Sequence, residues 1–448
     1  MAGNSCSSML AGFILCLCLM DCSKEDQGFP QMTLDPQHLH AAQQMLTDVM
    51  VHDIFSPPVA SRIYAYAGIA AFEAIVPGNP AFRSLAGQLN ELPSGPVPKP
   101  GNAVCFPIAA VHAYVRTGTR LIFSEEKMDV FLKDLDEKYL KAGVSRMVLK
   151  HSADFGQAVA DHIIAWADQD NYKQTRTFPK YTVDENPRRW QPTPPAYMDG
   201  VEPNWSRIRP FFMDSARQFT PPPPTPFSAE PGSPFFQEAM VVYRLQGDSV
   251  SLEEKKAIAA FWDCNPFVSH FSGHVMFATK KISPGGHWIG ITGLACKQAK
   301  ADFDHTAEAY ARVGIGLADA FISCWTEKYH SELIRPETYI NRYIDSKWMP
   351  LLQTPPFPEY TSGHSVASGA SAEILTQLFG EPFPYKDTVE EAYGLPPRDF
   401  GSFREAAQQA AISRLWGGIH YPPAILSGSE QGRAVGQHMV KNLQTRNL

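Results

Sequence analysis

Three short segments in the last third of the chain place cations next to histidines. The first runs from Lys328 to Arg335-Pro336. Lys328 extends a stripe of Val313, Leu317, Phe321 and Cys324 at steps of four and three, so its ammonium falls on the apolar face of a helix. A lysine there needs a partner, because an unpaired buried charge is costly; snorkelling at a helix end is the plain alternative. The second segment is Thr361-Ser362-Gly363-His364, followed by Val366, Ala370, Ile374 and Leu378 on one helical face and Gly380 as a stop. Free backbone N–H groups and the positive dipole end favour an anion at such a helix start. An ordinary N-cap would explain Ser362 but not His364. The third is Ser413-Arg414, reached by Phe403, Ala407 and Ala411, with Gly417-Gly418 releasing the chain to present His420. Three inward cations cannot coexist without an anion. A tetrahedral oxyanion, phosphate or its analogue vanadate, is the simplest guest. Of His364 and His420, one can attack or coordinate and the other can move a proton.

The surrounding composition restricts the partners. A formal net charge of −7 argues against nucleic acid, which needs a basic surface, so the anion site is a local cluster. Met9 to Met20 is an apolar run of signal-peptide length, and Cys22 follows Leu19-Met20-Asp21, an imperfect lipobox. These residues predict export with residues 1–22 as signal peptide and Cys22 lipidated, hence an outer-membrane or cell-surface lipoprotein, otherwise a periplasmic protein. Membrane association is then through the lipid alone, since no later segment reads as a membrane helix. Cys105, Cys264, Cys296 and Cys324 are too widely spaced for a metal motif. They predict buried thiols or one or two disulfides.

The elements that must hold the three segments are helical. The spacing predicts helices across 38–75, broken at Pro57-Pro58, then at 105–123, 125–142 and 145–169, in an N-terminal helical region spanning 23–186. Residues 187–234 are too rich in proline for helix or central strand and read as an ordered loop wrapping the body, anchored by Trp190, Trp205, Phe211 and Phe212. Residues 235–448 form a second helical domain, with helices at 235–246, 251–263, 287–333, 365–379 and 402–416. No alternating pattern supports a large sheet, so the class is all-α. Ser272-Gly273-His274 repeats the tripeptide of the second segment without its lead-in or helix and reads as chance.

The ordered trio, Lys328–Arg335-Pro336, Ser362-Gly363-His364 and Ser413-Arg414–His420, resembles the type 2 phosphatidic acid phosphatase/haloperoxidase superfamily. SPPVASRIYAYAGIAAFEAI at 56–75, WQPTPPAY, EPNWSRIRPFF, FWDCNP and SPGGHW extend the likeness toward bacterial vanadium-dependent haloperoxidase homologues. The resemblance implies helical bundles with the pocket in the C-terminal one. It implies that Lys328, Arg335, Ser362, Gly363 and Arg414 hold the oxyanion. His420 would be the axial vanadium ligand and His364 the acid/base, with Lys328 polarising bound peroxide. Trp325 and Phe357 would sit on the halide side, with core packing as their plain alternative. Two positions depart from the pattern. Thr361 replaces a proline, and Ala424 stands where an aspartate would orient the second imidazole nitrogen of His420; Glu430 or a backbone carbonyl are candidate substitutes. Three functions follow. One is vanadate-dependent oxidation of halide or an organic sulfide by hydrogen peroxide. The second is an acid phosphatase hydrolysing phosphomonoesters through a phosphohistidine, which Ala424 disfavours. The third is a non-catalytic phosphate-binding surface lipoprotein.

Overall fold

The computed structural model describes residues 1, 29–245, 252–272 and 275–447. The signal segment, Cys22, Gly273 and His274 lie outside them. Five helices form the first half of the body: α1 (Gln37–His52), α2 (Pro57–Ile75), α3 (Phe106–Thr119), α4 (Glu125–Lys141) and α5 (Arg146–Ala167). A single turn, α6 (Tyr172–Thr175), precedes a long irregular stretch whose one helical turn is Trp205–Arg207. Then come α7 (Pro234–Leu245), α8 (Leu252–Phe261), an antiparallel hairpin of β1 (Ser269–Ser272) and β2 (Val275–Ala278), α9 (Pro284–Ala299), α10 (Phe303–Ser331) and α11 (Pro336–Tyr343). The chain ends with α12 (Gly363–Phe379), a short hairpin of β3 (Tyr385–Asp387) and β4 (Arg398–Phe400) around a 3-10 turn at Val389–Tyr393, α13 (Phe403–Trp416) and α14 (Pro422–Asn442).

The helix expected over 287–333 is two. Lys300 takes the left-handed conformation at φ 52°, ending α9, and Asp302 opens α10 by accepting the His305 N–H at 2.9 Å. Two helices were not foreseen, α11 and the 21-residue α14. α14 carries Gly428, Gly432 and Gly436 on one face, and glycine reads as a breaker in sequence. In the fold these residues let α14 lie directly on α12. A Cβ on Gly432 would stand 2.1 Å from the Val366 carbonyl oxygen, and one on Gly436 2.7 Å from that of Ala370.

A second close approach joins the halves. Gly68 of α2 faces the Tyr310–Ala311 backbone of α10, and Gly314 of α10 faces Ala65 of α2, each with room for no more than a Cβ at 3.0 Å. One apolar core therefore runs from Leu39 to Leu443. The expectation that no later segment has membrane-helix character needs correction. Pro57–Gly78 is long and apolar enough, with mean hydropathy 1.3, but 89% of that window is buried inside the protein. It is apolar because α3, α5 and α10 surround it.

Residues 187–234 lie against this body. Trp190, Trp205 and Phe211 are fully buried and Phe212 is half-buried. Asp319, buried in α10, accepts the backbone N–H groups of Phe211, Phe212 and Met213 at 2.7, 2.8 and 2.9 Å.

Candidate active site

The three cationic segments meet. The Val313–Cys324 stripe of α10 is buried as its spacing predicts, and it carries Lys328 into the interior with no exposed surface. The Lys328 ammonium donates to the carbonyl oxygens of Pro358, Glu359 and Thr361 at 3.0, 3.0 and 2.5 Å. It thereby clamps the loop that enters α12. Arg335 caps α11, with Pro336 at the first helical position. Its guanidinium donates from Nε to the Phe357 carbonyl at 2.9 Å and from Nη1 to the Ile419 carbonyl at 2.8 Å, and Nη1 stands 3.2 Å from His420 Nε2. Ser362 is the N-cap of α12, its hydroxyl accepting the Ser365 N–H at 3.4 Å. Arg414 leaves the buried face of α13 and donates to Ser413 Oγ and the Ala259 carbonyl, with Asp263 at 3.9 Å.

Gly363, His364, Arg414 and His420 border one small cavity of about 30 Å³ together with Trp325 and Phe357. Lys328 and Arg335 stand behind the Phe357 ring, 5.1 Å from its centre in each case. The Trp325 and Phe357 rings are 4.8 Å apart. The Trp325 N–H is already donated to the Val201 carbonyl, so this side chain offers the cavity a ring and no donor.

Neither candidate replacement for the missing aspartate is used. Glu430 is exposed on α14, and no carbonyl takes the proton of His420. Glu359 supplies the carboxylate instead: its Oε1 lies 2.8 Å from His420 Nδ1 and also accepts the Tyr421 N–H at 2.9 Å. Arg335 can only donate, so His420 Nε2 is an acceptor and Nδ1 carries the proton to Glu359. Sequence reasoning missed Glu359 because the carboxylate comes from another segment. The available signal was an acidic residue inside the otherwise apolar lead-in Phe357-Pro358-Glu359-Tyr360.

The pocket is short of negative charge. Burial pushes Lys328 down to about 7 and Arg335 down to about 10, and it lowers Arg414 as well. Burial first, then Arg335, Lys328 and Arg414, holds His420 neutral, well below the usual imidazole range; His364 is held low by burial and then Arg414. Glu359 is pushed up to about 7 by burial, against the pull of Arg335 and Lys328. The buried polar atoms without a partner at the site include Arg335 Nη2, His364 Nε2 and Glu359 Oε2. A tetrahedral oxyanion carrying one hydroxyl would accept from Arg335 Nη2, donate to His364 Nε2, favour the charged form of Lys328 and use the N–H groups at the α12 start. On those grounds the donor set fits vanadate as it fits phosphate.

The chain is similar to known proteins. The family described as the VCPO second helical-bundle domain matches residues 341–447. A solved bacterial vanadium-dependent iodoperoxidase is 48% identical over 93% of this chain and 98% of its own, with a TM-score of 0.88. Holo and apo structures of a bacterial vanadium-dependent chloroperoxidase share the fold at TM-scores of 0.63, with 16% and 17% identity. They cover 87% and 86% of this chain and 93% and 94% of their own. No curated protein matches the chain. The identity to the iodoperoxidase, held across nearly the whole of both chains, places this protein in the vanadium-dependent haloperoxidase family.

Proposed function

We propose that the chain uses vanadate and hydrogen peroxide to oxidise iodide. The observation that carries this reading is the cavity. At about 30 Å³ it is far below the roughly 300–1,000 Å³ of sites that take organic ligands. Its aromatic border of Trp325 and Phe357, with no free N–H, suits a large polarisable halide. The 48% identity to an iodoperoxidase points the same way.

Bound vanadate supplies the activation of peroxide for two-electron oxidation of the halide. The chain's own groups do the rest. Arg335, Arg414, Ser362 and the Gly363 N–H neutralise and orient the oxyanion, and Lys328 adds charge from behind the Phe357–Thr361 loop. His420 would hold the vanadate through its Nε2 lone pair, with Glu359 fixing the ring. His364 Nε2, unpartnered and neutral, takes and returns the proton of incoming peroxide.

Glu359 alters the balance among the other readings. A carboxylate on His420 removes the argument that Ala424 weakens a phosphatase, and it also removes the sequence support for a non-catalytic protein. Cavity size and relationship then favour the peroxidase. The Met9–Met20 run and Cys22 support export with a lipid anchor as part of the same proposal.

The test is iodide oxidation by the purified chain with vanadate and peroxide. His420→Ala is expected to lose about a hundredfold or more. Hydrolysis of an aryl phosphate, blocked by vanadate, without iodide turnover would replace this reading with the phosphatase.

A further inference from the structure

Beside the oxyanion cavity lies a group of side chains that the peroxidase reading leaves unused. His287, near the start of α9, is fully buried and stacked on Trp262 with ring centres 4.6 Å apart. Its Nε2 lies 2.8 Å from Asp387 Oδ2 of β3. Its Nδ1 faces two further groups, Glu390 Oε1 at 2.9 Å and Cys264 Sγ at 3.3 Å. Cys264 Sγ and Glu390 Oε1 are 3.5 Å apart, and all three residues are buried.

We propose that Cys264, His287 and Glu390 bind a zinc ion, with Asp387 orienting His287 from outside. Thiolate, imidazole and carboxylate together are the donors zinc takes. Bonds of about 2.0–2.3 Å in a tetrahedron set the donor atoms about 3.3–3.6 Å apart. The three observed separations are within a few tenths of an ångström of that. A carboxylate on the far nitrogen of a histidine ligand is the usual outer partner, fixing the tautomer and raising ligand basicity. Three protein donors leave the fourth position to water.

Charge is conserved in the exchange. Without metal, a thiol, an imidazolium and a carboxylate sum to zero. With Zn²⁺, a thiolate, a neutral imidazole and a carboxylate again sum to zero, and two protons leave to solvent. The donors come from the loop after α8, the start of α9 and the 3-10 turn at Val389–Tyr393, so binding ties the β3–β4 connection to segments that wall the oxyanion cavity. Cys264 borders both places. The site is separate from the vanadate chemistry and stands or falls independently of it.

The experiment uses the untagged full chain, produced with zinc and passed over a chelating resin, with no vanadate added. Elemental analysis is expected to find one zinc per chain. Replacement by Co²⁺ is expected to give a thiolate-to-cobalt charge-transfer band. Cys264→Ser abolishes the band and the retained zinc. Asp387→Asn keeps one equivalent but binds about 10–100-fold more weakly. No stoichiometric zinc and no band in the wild-type chain, or equal zinc in Cys264→Ser, overturns the proposal and leaves a buried imidazolium between two carboxylates. If Cys264→Ser does not fold, the wild-type cobalt spectrum and the zinc content of Glu390→Gln decide.

Discussion

His420 is held in one tautomer from both sides, by a donor at Nε2 and a carboxylate at Nδ1. Glu359→Gln keeps an oxygen that can accept the Nδ1 proton but removes the charge; Glu359→Ala removes both. Outer partners of metal-bound histidines are worth about 10–100-fold, so the alanine variant should lose that much in vanadate affinity and turnover, and glutamine less. Equal activity in both variants would show that His420 is oriented by something else. Lys328 gives a pH signature. With its folded-state value lowered to about 7, it is charged below that pH and neutral above it. The histidines are already neutral there, so the change in anion affinity across pH 7 belongs to Lys328 losing its charge and Glu359 gaining one, both of which disfavour an anion as pH rises. Sulfate, whose charge is constant in this range, should bind best below pH 7 and lose up to about tenfold per unit above it. Calorimetry in two buffers should also show proton uptake above pH 7. Lys328 and Arg414 were legible in the sequence because a cation on an apolar stripe has few explanations, and Arg335 through its place before Pro336, seven residues after Lys328. Glu359 was not, because its partner lies 61 residues away and no periodicity links them.

The elements read well wherever a helix faces the core with large apolar residues. α14 escaped because its packing face is built from absent side chains. Gly428, Gly432 and Gly436 abut the backbone or side chains of Ser362, Val366 and Ala370 and of their neighbours on α12. That contact sets where the α12 N-terminus stands, and the Ser362 N–H is itself donated to the Ala424 carbonyl of α14. Gly432→Ala would drive a methyl into the Val366 carbonyl. Overpacking of this kind costs about 1–3 kcal/mol. Moving the α12 start should also weaken sulfate binding. The exposed Glu430→Ala on the same helix should change stability by no more than about 0.5 kcal/mol. Thermal unfolding and sulfate titration of the two variants test the contrast; unchanged sulfate affinity in a destabilised Gly432→Ala would separate helix packing from the site. The zinc trio was illegible for a different reason, since Cys264 and Glu390 are 126 residues apart and join only after α9 and β3 are in place.

At the scale of the whole molecule, the site is deep because two helical halves share one core and a proline-rich segment closes over it. Asp319 joins these parts. It sits on α10, six residues before Trp325, and takes three consecutive backbone N–H groups of that segment. The Val201 carbonyl of the same segment accepts from Trp325 and from Tyr329, next to Lys328. The segment is thus tied to the helix that carries the pocket's lysine and to the tryptophan that borders its cavity. Asp319→Ala leaves the Phe211, Phe212 and Met213 N–H groups without their acceptor. At about 1–3 kcal/mol for each buried donor, a loss of about 3 kcal/mol or more follows. Asp319→Asn keeps one acceptor oxygen and should fall between. If the segment is held locally by this carboxylate, limited proteolysis of the alanine variant will cut near 214–226 before the rest of the chain, and Trp325 fluorescence will change with it. If α10 and the segment instead unfold together with the core, cleavage will be dispersed and will track global denaturation in urea.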